Sequence, residues 1–211
     1  MLKWGSRRPD TPQVAPTAPA APSDAVVTSK VFPRFLAALA HQPAPVLLDL
    51  GPVVGSNVSY FGERLACKLY VEDLYSDVED HAKRGDRAAL ASFLATRLTQ
   101  APDSIDGILC WDLFDFLDRA AGQVLAKQLA GMLRKGGALY GSFGTTPIEL
   151  KYYTKTVVVA EDSLRHRMSP ASPVARTVHL TRDIIKMFDG LIVAESVLLK
   201  SSTRETLFRR P

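Results

Sequence analysis

The sequence has little cysteine: two residues in 211, Cys67 and Cys110, each inside an apolar stretch. That excludes a disulfide-stapled scaffold, and with no C-x-x-C pair and no Cys/His cluster at ligand spacing no metal site is expected. His41, His81, His166 and His179 are equally scattered. Long apolar runs are missing as well. No segment approaches the roughly 18 to 20 apolar residues that a bilayer span needs, and Lys3, Arg7 and Arg8 are followed by no apolar stretch of a secretory leader. A reduced, cytoplasmic setting without membrane insertion is therefore expected. Charge of one sign is scarce too. The 26 Lys and Arg against 22 Asp and Glu leave a formal +4, too mild a surplus to mark a nucleic-acid binder.

What is present is core-forming material, 46% of the chain, enough for one sizeable domain with an appendage. The 14 prolines are unevenly spread: Pro9, Pro12, Pro16, Pro19 and Pro22 lie among Ala and Thr with almost nothing to bury. Such a composition cannot offset the entropy of ordering, so residues 1–25 are expected to form a disordered arm and 26–211 a single α/β domain. From Val26 a helical period through Val27, Val31, Phe35, Leu36 and Leu39 predicts a lead-in helix that Gln42 and Pro43 end.

Val46-Leu47-Leu48-Asp49-Leu50 is a continuous apolar run, as expected of a strand buried on both faces of a parallel sheet. A loop, Gly51-Pro52-Val53-Val54-Gly55-Ser56-Asn57, leads to a helical segment from Val58 to Ala66, and Lys68 to Glu72 reads as a second strand. Residues 77–100 are predicted to be helical. Ile105 to Trp111 is a third apolar run that ends in an acid, Asp112. Asp118 is placed to cap a helix carrying Val124, Leu125, Leu129, Met132 and Leu133, with Lys135-Gly136-Gly137 as its end. Ala138 to Phe143 then completes a second strand-helix-strand unit, which implies a parallel sheet with right-handed crossovers.

The last third differs. Tyr152 to Ala160 is β-branched and aromatic, Pro170 and Pro173 punctuate a polar loop, and Arg176 to Leu180 is expected to pair back as a hairpin, making 146–180 an inserted flap. Thr181 is the expected cap of a helix that buries Leu180, Ile184, Ile185 and Phe188. Leu191 to Lys200 and Thr206 to Arg209 read as a terminal antiparallel hairpin.

A glycine-bearing turn between a buried strand and a helix presents backbone N–H groups and the helix's positive end at the C-terminal edge of a sheet, where ligands bind. This loop lacks the third glycine of G-x-G-x-x-G, which weakens a pyrophosphate-binding turn, and has no G-K-[ST], so a Walker-type phosphate loop is excluded and a nucleoside triphosphate is not expected. About 20 residues on, Glu72-Asp73 ends the second strand, where an acid can accept from ribose hydroxyls. Asp49, at the same edge, can attract an ammonium group. A ligand with a ribose and an amino group is indicated, although each acid can equally cap a helix or stay solvated. Asn57 offers either a polar ligand contact or a cap.

Leu47-Leu48-Asp49-Leu50-Gly51 with Gly55-Ser56-Asn57, the acidic Glu72, Asp106 to Asp112, and Leu133-Arg134-Lys135-Gly136-Gly137-Ala138-Leu139 together resemble the class I S-adenosylmethionine-dependent methyltransferases. The resemblance runs in order from about residue 26 to 211 and includes the final helix and antiparallel hairpin. It implies a Rossmann-like, seven-stranded, mostly parallel sheet with helices on both faces, and S-adenosylmethionine as cofactor across the strand ends. It also implies that Gly51 and Gly55 approach the methionine part, that Glu72 or Asp73 meets the ribose, and that Trp111 and Asp112 line the pocket near the methyl group. One departure is plain: where the family has G-x-G-x-G, this chain has Gly51-Pro52-Val53-Val54-Gly55, and losing the central glycine restricts how closely backbone and ligand approach.

Methyl transfer from a sulfonium needs little acid–base apparatus; positioning and exclusion of water carry it, with a base for some oxygen or nitrogen acceptors. Asp112 is the candidate base, with Asp115, His166 and His179 behind it. Trp111-Asp112-Leu113-Phe114 stands where methylases of exocyclic base amines carry Asn-Pro-Pro-Tyr-like motifs, which argues against a nucleic-acid base as acceptor. The expected acceptor is a small molecule. Two alternatives stay open: a non-catalytic module that kept the fold, and a nicotinamide-dependent oxidoreductase, which shares the early strand-loop-helix-strand pattern.

Overall fold

The structure, a computed structural model, describes residues 24–211; the expectation of an arm over residues 1–25 lies almost entirely outside them. The elements are β1 (Ala25–Thr28), α1 (Phe32–Leu39), β2 (Val46–Asp49), α2 (Gly55–Leu65), β3 (Lys68–Val71), α3 (Leu74–Lys83), α4 (Leu90–Arg97), β4 (Ile105–Trp111), α5 (Arg119–Met132), β5 (Leu133–Gly144), β6 (Glu149–Ala160), β7 (Ser163–Ala175), α6 (Thr181–Met187), β8 (Ile192–Leu198) and β9 (Thr203–Arg209).

The main sheet has the order β3-β2-β4-β5-β9-β8. β3, β2, β4 and β5 run parallel, and β9 is antiparallel to both β5 and β8. β4 is buried at every position, as a strand must be when helices cover both faces. One face packs Phe32, Phe35, Leu36 and Leu39 of α1 and Phe61 of α2 against Leu47, Leu109 and Tyr140. The other packs Leu90 and Leu94 of α4, Leu125 and Leu129 of α5 and Ile184 of α6 against Leu48, Ile108 and Leu139. Asp118 caps α5 by accepting from Ala121 N–H at 2.8 Å.

The sheet has six strands, not the seven expected. Residues between β3 and β4 that would build an outermost strand are helical, so β3 is left at the edge. A second sheet, β1-β7-β6, stands apart. Val26 and Val27 thus open a strand antiparallel to β7, not a helix. The helix starts only at Phe32, with Pro33 in its first turn, where a missing N–H costs nothing. The strand that returns along β6 is Ser163–Ala175, not Arg176–Leu180. It contains Pro170 and Pro173 because β1 covers β7 only at residues 163–166, and beyond that β7 is an edge, where proline is tolerated.

Other boundaries also move: α2 begins at Gly55, inside the expected loop, not at Val58. α5 ends at Met132 and β5 begins at once; the register slips between Ile105/Leu133 and Gly107/Ala138, taken up by Gly136 at φ 75°, a conformation that favours glycine. Leu180, not Thr181, is the cap residue of α6, and Leu180 and Ile185 are exposed while Ile184, Met187 and Phe188 are buried. β9 starts at Thr203, not Thr206, because all seven residues from Thr203 to Arg209 pair with β5.

Candidate active site

Three neighbouring parallel strands end in carboxylates at one edge of the sheet. Asp49 closes β2, Glu72 follows β3 and Asp112 follows β4. Parallel order alone brings them together, because every strand that leaves by a helical crossover returns pointing the same way.

Asp49 is buried, and its Oδ1 accepts from the Gly51 N–H at 2.8 Å and from the Trp111 indole Nε1–H at 2.7 Å. Burial pushes its carboxyl up to about 6, against the pull of those two donors. Trp111 has φ 50°, a left-handed conformation uncommon for a bulky residue. Its ring packs beside Phe32 and Tyr140, with centroids 5.9 and 5.8 Å away. It also lies on Gly51: a Cβ there would meet Trp111 Cδ1 at 2.8 Å and Nε1 at 2.9 Å. Gly51 is therefore required by close approach, but the approaching group is the chain's own indole. Gly55 is different. It opens α2 with nothing within 4 Å of an added Cβ.

Glu72 is engaged from α4 and its end. Arg97 Nη1 donates to its Oε2 at 2.7 Å and Nη2 to its backbone oxygen at 2.8 Å, while Gln100 Nε2 donates to Oε1. Arg97 Nε also reaches Asp77 at 2.8 Å. Asp73 caps α3 by accepting from Ser76 Oγ at 2.8 Å and from the Ser76 N–H at 3.3 Å. Asp112 accepts a short hydrogen bond from the Tyr75 hydroxyl; burial and that acidic neighbour hold the Tyr75 phenol well above its ordinary range.

Asn57 turns away from the strand ends and grips the hairpin. Its Nδ2 donates to Thr156 O and its Oδ1 accepts from Val158 N–H, both at 2.8 Å. On the other side Ser172 donates through N–H and Oγ to Glu79 at 2.8 and 2.9 Å, and Tyr153 lies 5.6 Å from Tyr75 between ring centroids. The β6–β7 hairpin is thus fastened to both α2 and α3. Between it and α3, the cleft bordered by Tyr75, Phe116, Tyr153 and Ser172 has a volume of about 10 Å³, room for about one water. A cleft of about 560 Å³ lies elsewhere, bordered by Lys127, Lys186, Asp189 and Arg210, and contains none of the strand-end acids.

The remaining candidate bases are spread out. Asp115 is buried at the foot of the hairpin, accepting from Gly144 N–H at 2.9 Å and pairing with Arg176 Nε at 2.9 Å. Burial first, and Asp112 second, push its carboxyl up to about 7. Burial lowers His166, with Asp112 and Glu205 pulling the other way. His179 is buried beside Phe114 O, and burial lowers it as well. Tyr75, Arg97 and Gln100 were not legible as site residues: Tyr75 had its place next to Glu72-Asp73-Leu74 as a signal, whereas Arg97 and Gln100 had none. Among the described residues no cluster suited to a metal ion occurs, and no helix is long and apolar enough to cross a membrane.

No protein-family model matches the sequence, and no curated protein matches it. Solved structures do match by fold. An S-adenosylmethionine-dependent methyltransferase from Mesorhizobium loti superposes with a TM-score of 0.54 at 13% identity, over 85% of this chain and 97% of that one. The fold is that of the S-adenosylmethionine-dependent methyltransferases. A Pyrococcus horikoshii protein matches with a TM-score of 0.52 at 14% identity, over 86% of this chain and 88% of that one. The 1,6-didemethyltoxoflavin-N1-methyltransferase of Burkholderia thailandensis, solved with bound 1,6-didemethyltoxoflavin and S-adenosylhomocysteine, matches with a TM-score of 0.50 at 14% identity, over 86% of this chain and 79% of that one. The methyltransferase fold here retains the antiparallel β9 between β5 and β8.

Proposed function

We propose that this chain is an S-adenosylmethionine-dependent methyltransferase acting on a small-molecule acceptor. One observation carries the reading: β2, β3 and β4, adjacent and parallel, each end in a carboxylate at one edge of a methyltransferase fold. Such an edge suits a cationic ligand with hydroxyls, Asp49 facing an ammonium and Glu72 a ribose. The Burkholderia thailandensis neighbour, solved with bound 1,6-didemethyltoxoflavin and S-adenosylhomocysteine, supports the class of acceptor.

The chemistry of these groups fits the cofactor; the space between them does not. With Trp111 on Gly51 and Arg97 and Gln100 on Glu72, the described arrangement is a closed one, and no residue is assigned a step of the transfer. A second reading, a module that keeps the fold and transfers nothing, is favoured by the same indole over Gly51. Binding decides between them. In calorimetric titration the methyltransferase reading expects heat and a raised melting temperature with S-adenosylhomocysteine and neither with NAD. Absence of both at millimolar S-adenosylhomocysteine would sink it, and binding of NAD instead would favour an oxidoreductase.

A further inference from the structure

At Asp49, Gly51 and Glu72 the contacts that such a cofactor would use are already made by side chains of the protein, while the space beside Gly55 is open. At Asp49 the donor is the Trp111 indole N–H, at 2.7 Å. Over Gly51 the apolar body in close approach is the same ring, 2.8 Å from the position of an added Cβ. At Glu72 the two carboxylate oxygens accept from Arg97 and Gln100. Trp111 thus supplies both of the features expected of the ligand's amino-acid end, an N–H donor on the buried carboxylate and an uncharged body against the glycine. It does so from a left-handed backbone, φ 50°, which for a residue with a bulky side chain persists only while its surroundings enforce it.

We propose that Trp111 is a built-in stand-in for the cofactor: its indole fills the amino-acid subsite between Asp49 and Gly51, and the cofactor binds by displacing it. This rests on the cofactor reading above. The exchange has a physical driving force. A neutral indole N–H leaves the Asp49 carboxylate disfavoured by its burial, whereas an ammonium in the same place supplies a full opposing charge. The opposing cost is the loss of ring contacts with Phe32 and Tyr140, so the open form is the minor one and the apparent affinity is reduced by its small population.

The chain has two tryptophans, Trp4 and Trp111, so in the Trp4→Phe variant of this 211-residue chain all indole emission reports on Trp111. Titration with S-adenosylhomocysteine, followed by emission and by calorimetry, is expected to shift that emission to the red and to raise its quenching by acrylamide as the ring leaves its buried place. Trp111→Gly, which removes the ring and accepts the left-handed backbone, is expected to bind about tenfold tighter or better. Calorimetric binding with unchanged emission, or equal affinity in parent and Trp111→Gly, overturns the stand-in and leaves the cofactor reading intact. No binding by either protein at millimolar ligand overturns both. Should circular dichroism find Trp111→Gly unfolded, the emission change of the parent still decides, and Trp111→Phe, which keeps the bulk and drops the N–H, is expected to bind more tightly than the parent.

Discussion

Asp49 and Glu72 stand at the ends of adjacent strands, two acids of one edge, and are held by opposite means. Asp49 is buried and meets only neutral donors; Glu72 is half-buried and meets a guanidinium and an amide. Burial without a cation leaves the first with a carboxyl near 6, an acid that its own fold disfavours in the charged form. The second is an ordinary partly solvated ion pair. One edge of a sheet can therefore carry a charge that waits for a cation beside a charge already neutralised.

Three substitutions probe that contrast. The largest effect is expected from Trp111→Ala, which empties the space over Gly51 and strips a donor from Asp49. Loss of a buried aromatic ring costs about 3–5 kcal/mol, read by urea denaturation. A cost under about 1 kcal/mol would mean that the indole is not packed as described.

Asp49→Asn comes next. Between 3.8 and about 6 the folded state keeps a proton that the unfolded chain has lost, so stability falls as pH rises through that window, by about 3 kcal/mol at most. Asparagine keeps an Oδ1 for both donors and carries no charge. The variant is expected to lose that part of the decline between pH 4 and 6, leaving the part due to Asp115, which has the same sign and extends to about 7. An unchanged pH profile would show that Asp49 is not desolvated.

Glu72→Gln should do least. Arg97 stays tied to Asp77, and the partly buried Arg97–Glu72 ion pair is expected to contribute about 1 kcal/mol, less at high salt. A loss well above that, insensitive to salt, would make Glu72 the more critical acid and reverse the comparison.

Much of the fold was legible because burial leaves a pattern in the chain. The apolar run of Ile105 to Trp111 became a fully buried central strand, and Asp118 capped the helix it precedes. Misreadings fell where local pattern and pairing disagree. Val26 and Val27 lie where a helical period starts, yet β7 offers them strand partners; Pro170 and Pro173 look like loop punctuation, yet β7 continues there as an edge strand paired with β6 alone. The acids of the candidate site were legible as strand ends. Their partners were not: Arg97 reaches Glu72 across 25 residues and Trp111 reaches Asp49 across 62, and nothing in local spacing encodes which of many polar side chains arrives.

By itself, then, the sequence determined that alternating apolar runs and helical periods make a parallel sheet with acids at its strand ends, because hydrophobic period and chain direction are local properties. Only the tertiary structure decided that the edge is closed. A side chain's neighbours depend on long-range packing, and packing set the Trp111 indole, rather than open space, against Gly51 and Asp49.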